Sequence, residues 1–252
     1  LEPSTKTLLI FKDNLDYSNG GAYYFDNKIE IWAENLDFVM RGTHHWLRDV
    51  ITHEFVHIVT LRKAMKLGMK IPGIYFQYFK YEKEKRPDVV RGFPHILGSF
   101  PYVTTSFPVW FAEGVAQYQT NLLRYDYRDS HREMILRDRV LTGNLMSLNE
   151  MNTFGKNSVG NESSYNQGYS FVKYLADTYG EDKLRELSAQ SKKIKDFTFE
   201  QTMRNIFNRS HTELYNEWHT FLKDKYNGQT SRISVPLREG IPVEDKGFGN
   251  LY

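Results

Sequence analysis

The chain opens with short apolar runs of strand character. Thr7-Leu8-Leu9-Ile10-Phe11 is rich in strand formers, and Ile29-Glu30-Ile31-Trp32 alternates apolar and polar with the period of a half-buried strand. Between them, Asn19-Gly20-Gly21 predicts a turn. From about residue 43 the spacing becomes helical. Thr43 can cap that helix and Gly68 can stop it, so a helix is predicted over 43–66. Its apolar positions, Leu47, Val50, Ile51, Phe55, Ile58, Val59 and Leu61, cover most of the circumference, which predicts burial on nearly all sides. Residues 67–108 lose this periodicity. They carry Tyr75, Phe76, Tyr78, Phe79, Tyr81, Phe93, Phe100, Tyr102 and Phe107, interrupted by Pro72, Pro87, Pro94, Pro101 and Pro108. The segment reads as an irregular aromatic insertion that packs its rings on the helical part; the alternative is a lid or a wall of a substrate cleft. Helical spacing returns over 109–123, 129–141, 165–179, 181–193, 199–207 and 212–226, with capping-box spacing at Thr198 with Gln201 and at Ser210 with Glu213. After residue 227 the periodicity stops, and the stretch to Tyr252 reads as a linker or extended arm. Strands first and helices afterwards argue for an α+β fold, with one domain over 1–226: a β-rich part (1–42), the helix, the insertion and a helical part (109–226).

Composition narrows the possible functions. The 33 Lys and Arg residues nearly balance the 31 Asp and Glu, so there is no basic field for nucleic acid. No apolar run approaches the roughly 18–20 residues that span a bilayer. In the aromatic segment Glu82 and Glu84 largely cancel Lys80, Lys83, Lys85 and Arg86, which argues against a membrane-surface role. Cysteine is absent, which excludes disulfides, thiolate metal sites and cysteine nucleophiles. The first residue is Leu1 and no signal peptide is present, so the chain reads as a processed or excised piece, with a secreted or periplasmic location expected.

The chemistry concentrates at His53-Glu54-Phe55-Val56-His57. Positions i and i+4 of a helix lie on one face, so the two imidazoles can reach one ion at the roughly 2.0–2.1 Å that zinc requires. Glu54 is rotated by about 100° from His53 and can lean over an attacking water. Two imidazoles and a carboxylate on an apolar helix cost several kcal/mol of desolvation unless something pairs with them. The plainer reading is a pair of satisfied core histidines beside a structural glutamate. A catalytic zinc needs a third protein ligand and an open position. Glu113, in Trp110-Phe111-Ala112-Glu113-Gly114-Val115-Ala116, is the candidate, and Gly114 permits another backbone to approach closely. The alternative for Glu113 is an ion pair with Arg124 or Arg137. His44 and His45 lack ligand spacing and read as surface or helix-terminal residues.

These motifs resemble the gluzincin metallopeptidases: HExxH, then a glutamate in W-x-x-E-G-x-A. The group includes thermolysin-like enzymes and, more closely, the M1 aminopeptidases. The resemblance implies a thermolysin-like α+β catalytic domain acting on peptides or proteins. One Zn2+ would be held by His53, His57 and Glu113, with Glu54 as general base. M1 enzymes have a much shorter spacing between the second histidine and the glutamate, which makes 67–108 an insertion. Ser164-Tyr165-Asn166-Gln167-Gly168-Tyr169 resembles the M1 P-Y-E-K-G block and implies Tyr165 as oxyanion stabiliser, with Tyr169 and His131 as substitutes. Gly21-Ala22-Tyr23-Tyr24-Phe25 stands where M1 enzymes carry G-x-M-E-N on an edge strand, which implies Gly21, Ala22, Tyr23 and Tyr24 as substrate-binding residues. Tyr24 replaces the glutamate that grips a free amine, so endopeptidase cleavage is expected over aminopeptidase action. Asn166-Gln167-Gly168-Tyr169, Tyr179-Gly180 and Gly247-Phe248-Gly249-Asn250 further resemble bacterial peptidases in which a β-propeller follows the catalytic domain. Two rival classes are a catalytically silent binding module on the same fold and a structural zinc domain.

Overall fold

The computed structural model describes residues 5–36, 45–68, 71–81, 94–127, 130–155, 160–231 and 233. Three strands form the first layer: β1 (Leu8–Lys12), β2 (Ser18–Tyr23) and β3 (Lys28–Ala33), in the order β1-β3-β2. β1 runs parallel to the central β3, and β2 antiparallel to it, so β2 is an edge strand. Ile29 and Ile31 of β3 are buried with Trp46, Val50 and Ile58 of the next helix in a small core of their own.

Asn19-Gly20-Gly21 does not turn; it lies inside β2. The chain turns later, at Asn27, which takes the left-handed φ of 53°. The reason is contact, not local propensity. A Cβ on Gly20 would sit 2.5 Å from Val50 Cγ2 and 2.9 Å from Glu54 Oε1, so glycine is what lets β2 lie directly on the helix behind it.

That helix, α1, spans Trp46–Ala64. Thr43 lies outside the described residues, and His45 is the N-cap, with no side-chain hydrogen bond. The expected all-round burial is only half realised. Val50, Glu54, His57 and Ile58 are buried, whereas Leu47 and Phe55 are exposed, because sheet and helices cover α1 from two sides and leave a strip open.

The segment after α1 is also more regular than its sequence suggests. β4 (Gly73–Tyr81) and β5 (Pro94–Val103) pair antiparallel as a two-stranded hairpin. Pro72 precedes β4, and Pro94 and Pro101 lie within β5, a strand of a two-stranded sheet, where a missing N–H is tolerated; Pro108 is the N-cap of the next helix, and Pro87 lies outside the described residues. The rings of β4 do not pack on the helical part: Tyr75, Phe76, Tyr78, Phe79 and Tyr81 are exposed. The hairpin is fixed at its base. Tyr102 is buried there, its hydroxyl donating to the Ile194 carbonyl (2.9 Å), and the Lys66 amide donates to the Thr104 carbonyl (2.8 Å).

The remaining helices are α2 (Val109–Leu122), α3 (Ser130–Leu141), α4 (Gly160–Tyr179), α5 (Glu181–Gln190), α6 (Phe199–Phe207) and α7 (His211–Thr230). Ser210 and Glu213 form the full capping box, and Thr198 accepts from the Gln201 amide. α4 begins five residues before Tyr165, so Tyr165 lies in the second turn and not at the helix start. α7 runs past residue 227 to Thr230, since the contact face carrying Tyr226 completes its turn; the rest of the expected arm, 234–252, lies outside the described residues. The main core joins α2 through Trp110 and Phe111, α4 through Phe171 and Leu175, and α7 through Leu214 and Trp218.

α2 and α4 approach each other closely in this core. A Cβ on Gly114 would lie 2.5 Å from the Gly168 carbonyl oxygen, and one on Gly168 would lie 2.5 Å from the Trp110 carbonyl oxygen. Neither backbone can yield cheaply. Gly114→Ala or Gly168→Ala should therefore destabilise the protein by about 1–3 kcal/mol in denaturant unfolding, as overpacking does.

Candidate metal centre

α1 and α2 place three donors together. His53 and His57 stand one turn apart on α1, and Glu113 reaches them from the first turn and a half of α2. Glu113 Oε2 lies 2.9 Å from His53 Nε2 and 3.2 Å from His57 Nε2. The donor atoms of the three side chains all fall within 4.8 Å of one another, and no other such group occurs among the described residues. The imidazoles stand edge to face, ring centroids 4.8 Å apart. Glu113 pairs with these histidines, which disposes of the alternative pairing with Arg124 or Arg137.

Electrostatics bind the trio tightly. Burial by itself would lower the His57 pKa, but the charge and hydrogen bond of Glu113, with the charge of Glu54, outweigh it and raise the value to about 9. Burial likewise opposes the Glu113 carboxylate, yet the positive charge of His57 and the bonds from both imidazoles hold it well below the usual carboxylate range. The pairing with Glu113 favours a proton on His57, which an entering cation must displace. The donor set fits a divalent metal. Among the described residues it offers two imidazole nitrogens and one carboxylate, three protein ligands, which in a four-coordinate site would leave one position open. His57 Nδ1 is buried without a hydrogen-bond partner among the described residues, so Glu113 is the group that orients its ring.

The trio opens into a cleft of about 480 Å³ lined by β2, α1 and α2, with Tyr165 of α4 on its wall. Glu54 is buried and also lines it, its Oε1 beside Gly20. The Tyr165 ring stacks on Phe154 at 5.6 Å and lies 6.3 Å from the His53 ring, centroid to centroid. Of its two substitutes, Tyr169 is buried with its hydroxyl donating to Asn121 Oδ1 (2.9 Å), and His131 is exposed on α3; neither lines the cleft. His45 is exposed, and His44 lies outside the described residues.

The β2 residues divide by face. Ala22 and Tyr24 line the cleft; Gly21 and Tyr23 do not, since side chains alternate along this part of the strand. Tyr24 follows the last residue of β2, bonds Thr105, and is held as a neutral phenol by burial, which raises its pKa against the opposing effect of that bond. The sequence reading passed over Ser18, Asn19 and Gly20, which line the cleft from the same strand, and over Asp49. Asp49 is buried in the first turn of α1, one turn before His53. Its i−4 spacing from a candidate ligand was a usable signal.

Residues 86–224, more than half of the chain, match the family model described as the Peptidase MA superfamily. The match spans Glu113 and Tyr165 and begins beyond His57, so the geometry joins the matched part to the two histidines. No curated protein and no solved structure matches the chain. Metal titration should find one divalent ion per chain. Glu113→Ala and His57→Ala should each weaken binding by more than the roughly 10–100-fold that loss of an outer partner costs.

Proposed function

The chain belongs to the peptidase MA superfamily, and on that premise we propose that it is a zinc metallopeptidase of the gluzincin type. The observation that carries the reading is the convergence of His53, His57 and Glu113 from two helices, in a cleft that also holds a further buried carboxylate, Glu54. His53, His57 and Glu113 would hold the ion through two nitrogens and an oxygen. Bound there, zinc supplies Lewis acidity, making a water acidic near neutral pH and polarising a carbonyl oxygen.

The protein's own groups do the rest. Glu54, on the same turn as His53, takes the proton from the attacking water and delivers it to the leaving amine. The Tyr165 phenol donates to the carbonyl oxygen as negative charge develops on it. The edge of β2 offers backbone hydrogen bonds to an extended peptide, with the small Ala22 side chain lining the cleft. Tyr24 puts an aromatic wall at the end of that strand in place of an amine-binding carboxylate, which favours cleavage within a chain over removal of amino-terminal residues.

The test is turnover of a peptide library by zinc-loaded protein, with and without chelator. Glu54→Gln should abolish hydrolysis and leave the metal bound; activity retained in that variant ends the proposed mechanism. Tyr165→Phe should lower kcat by about 10²–10³-fold with little change in KM, the effect of losing one oxyanion donor. The products should be internal fragments, and stepwise trimming from the amino end would overturn the endopeptidase reading.

A further inference from the structure

We propose that the β4–β5 hairpin is a peripheral membrane anchor, its two aromatic faces seated among the headgroups of a bilayer that contains anionic lipid. The inference is independent of the peptidase reading.

The register decides which side chains share a face. Phe76 stands opposite Phe100 on one side, and Tyr75 opposite Pro101 and Phe79 opposite Leu97 on the other. Both sides are wet: Phe76 and Phe100 are 60 % and 65 % exposed, and Tyr75 and Leu97 are 69 % and 63 % exposed. Large rings clustered in water on one projecting element mark an interaction surface. Beyond its base, where Tyr102 and Thr104 tie it down, neither strand packs on another element among the described residues.

The two-sided exposure selects the occupant. A docked protein covers one face of a thin hairpin and leaves the other in water, whereas a lipid interface surrounds both. Pairing with a second copy along the strand edges is opposed by Pro94 and Pro101 in β5 and by the register shift at Lys80 and Tyr81 in β4. The side chains suit the headgroup level. Tyr75, Tyr78 and Tyr81 pair an apolar ring with a polar tip, the chemistry that settles at a membrane–water boundary. Charge agrees: neither strand contains Asp or Glu, and Lys80 is exposed on β4. The sequence joining the strands is nearly balanced in charge, so the exposed rings, and not a basic cluster, carry the attachment. Depth is bounded, because the unpaired backbone groups along both edges need water and keep the hairpin out of the hydrocarbon. No helix among the described residues is long and apolar enough to cross a membrane. The hairpin is inserted between α1 and α2, the helices that carry the cluster, so anchoring would hold the cleft close to the bilayer.

The chain has no cysteine, which allows a single reporter thiol. Leu97→Cys and Phe100→Cys, labelled with an environment-sensitive dye, read the two faces separately, and Phe221→Cys on α7 serves as control. With phosphatidylcholine–phosphatidylglycerol vesicles, both hairpin probes should shift to the blue and the control should not. The unlabelled, unmutated chain should co-sediment with the same vesicles. Partitioning should fall about tenfold or more in the combined Phe76→Ser, Phe79→Ser, Phe100→Ser variant. The proposal is overturned if the unmutated chain stays in solution with these vesicles. A shift at one face only, or a shift that rises with protein concentration in the absence of lipid, also overturns it and indicates a protein partner or a second copy.

Discussion

Glu113 meets two imidazoles that come from another helix, and the arrangement of the molecule follows from that meeting. A buried histidine, with a half-buried histidine and carboxylate beside it, is costly unless the three groups face one another. The pairing requires α1 and α2 to lie at a fixed distance with a fixed rotation. α1 takes its position from the sheet, through Ile29, Ile31 and Val50. α2 takes its position from α4, at the contact where Gly114 and Gly168 leave no room for side chains. Two separate cores therefore converge on one small group of polar atoms.

Both glycine contacts lie beside the chemistry. Gly114 directly follows Glu113, so the same close approach that packs α2 on α4 sets the angle at which the carboxylate leaves its helix. Gly168 is three residues from Tyr165 on α4, which brings that ring to the wall of the cleft. Gly20 does for β2 and Glu54 what these two do for α2 and α4. In each case a missing Cβ converts a packing contact into the placement of a functional group.

The candidate site was legible in the sequence because it rests on helical spacing. HExxH fixes two donors and a neighbouring carboxylate by rotation alone, and the isolated Glu113 in an apolar helix advertises a buried partner. Sheet features were less legible. Gly20 and Gly21 carry the composition of a turn but sit in a strand, since the role of Gly20 is set by α1, about thirty residues away in sequence, and not by its neighbours. The hairpin was read as irregular because prolines stop helices and central strands, a rule that relaxes in a two-stranded sheet. Its rings were expected to be buried, as aromatics usually are; nothing local in a sequence says that a hairpin will stand clear of the body.

The central claim is that His53, His57 and Glu113 bind one ion together and leave it an open position. X-ray absorption on the zinc-loaded protein tests it most directly. The account predicts two imidazole nitrogens at about 2.0–2.1 Å and oxygen donors completing the shell, with one oxygen lost or altered in Glu113→Ala. A shell unchanged by that substitution, or one built from three or more imidazoles, would contradict it.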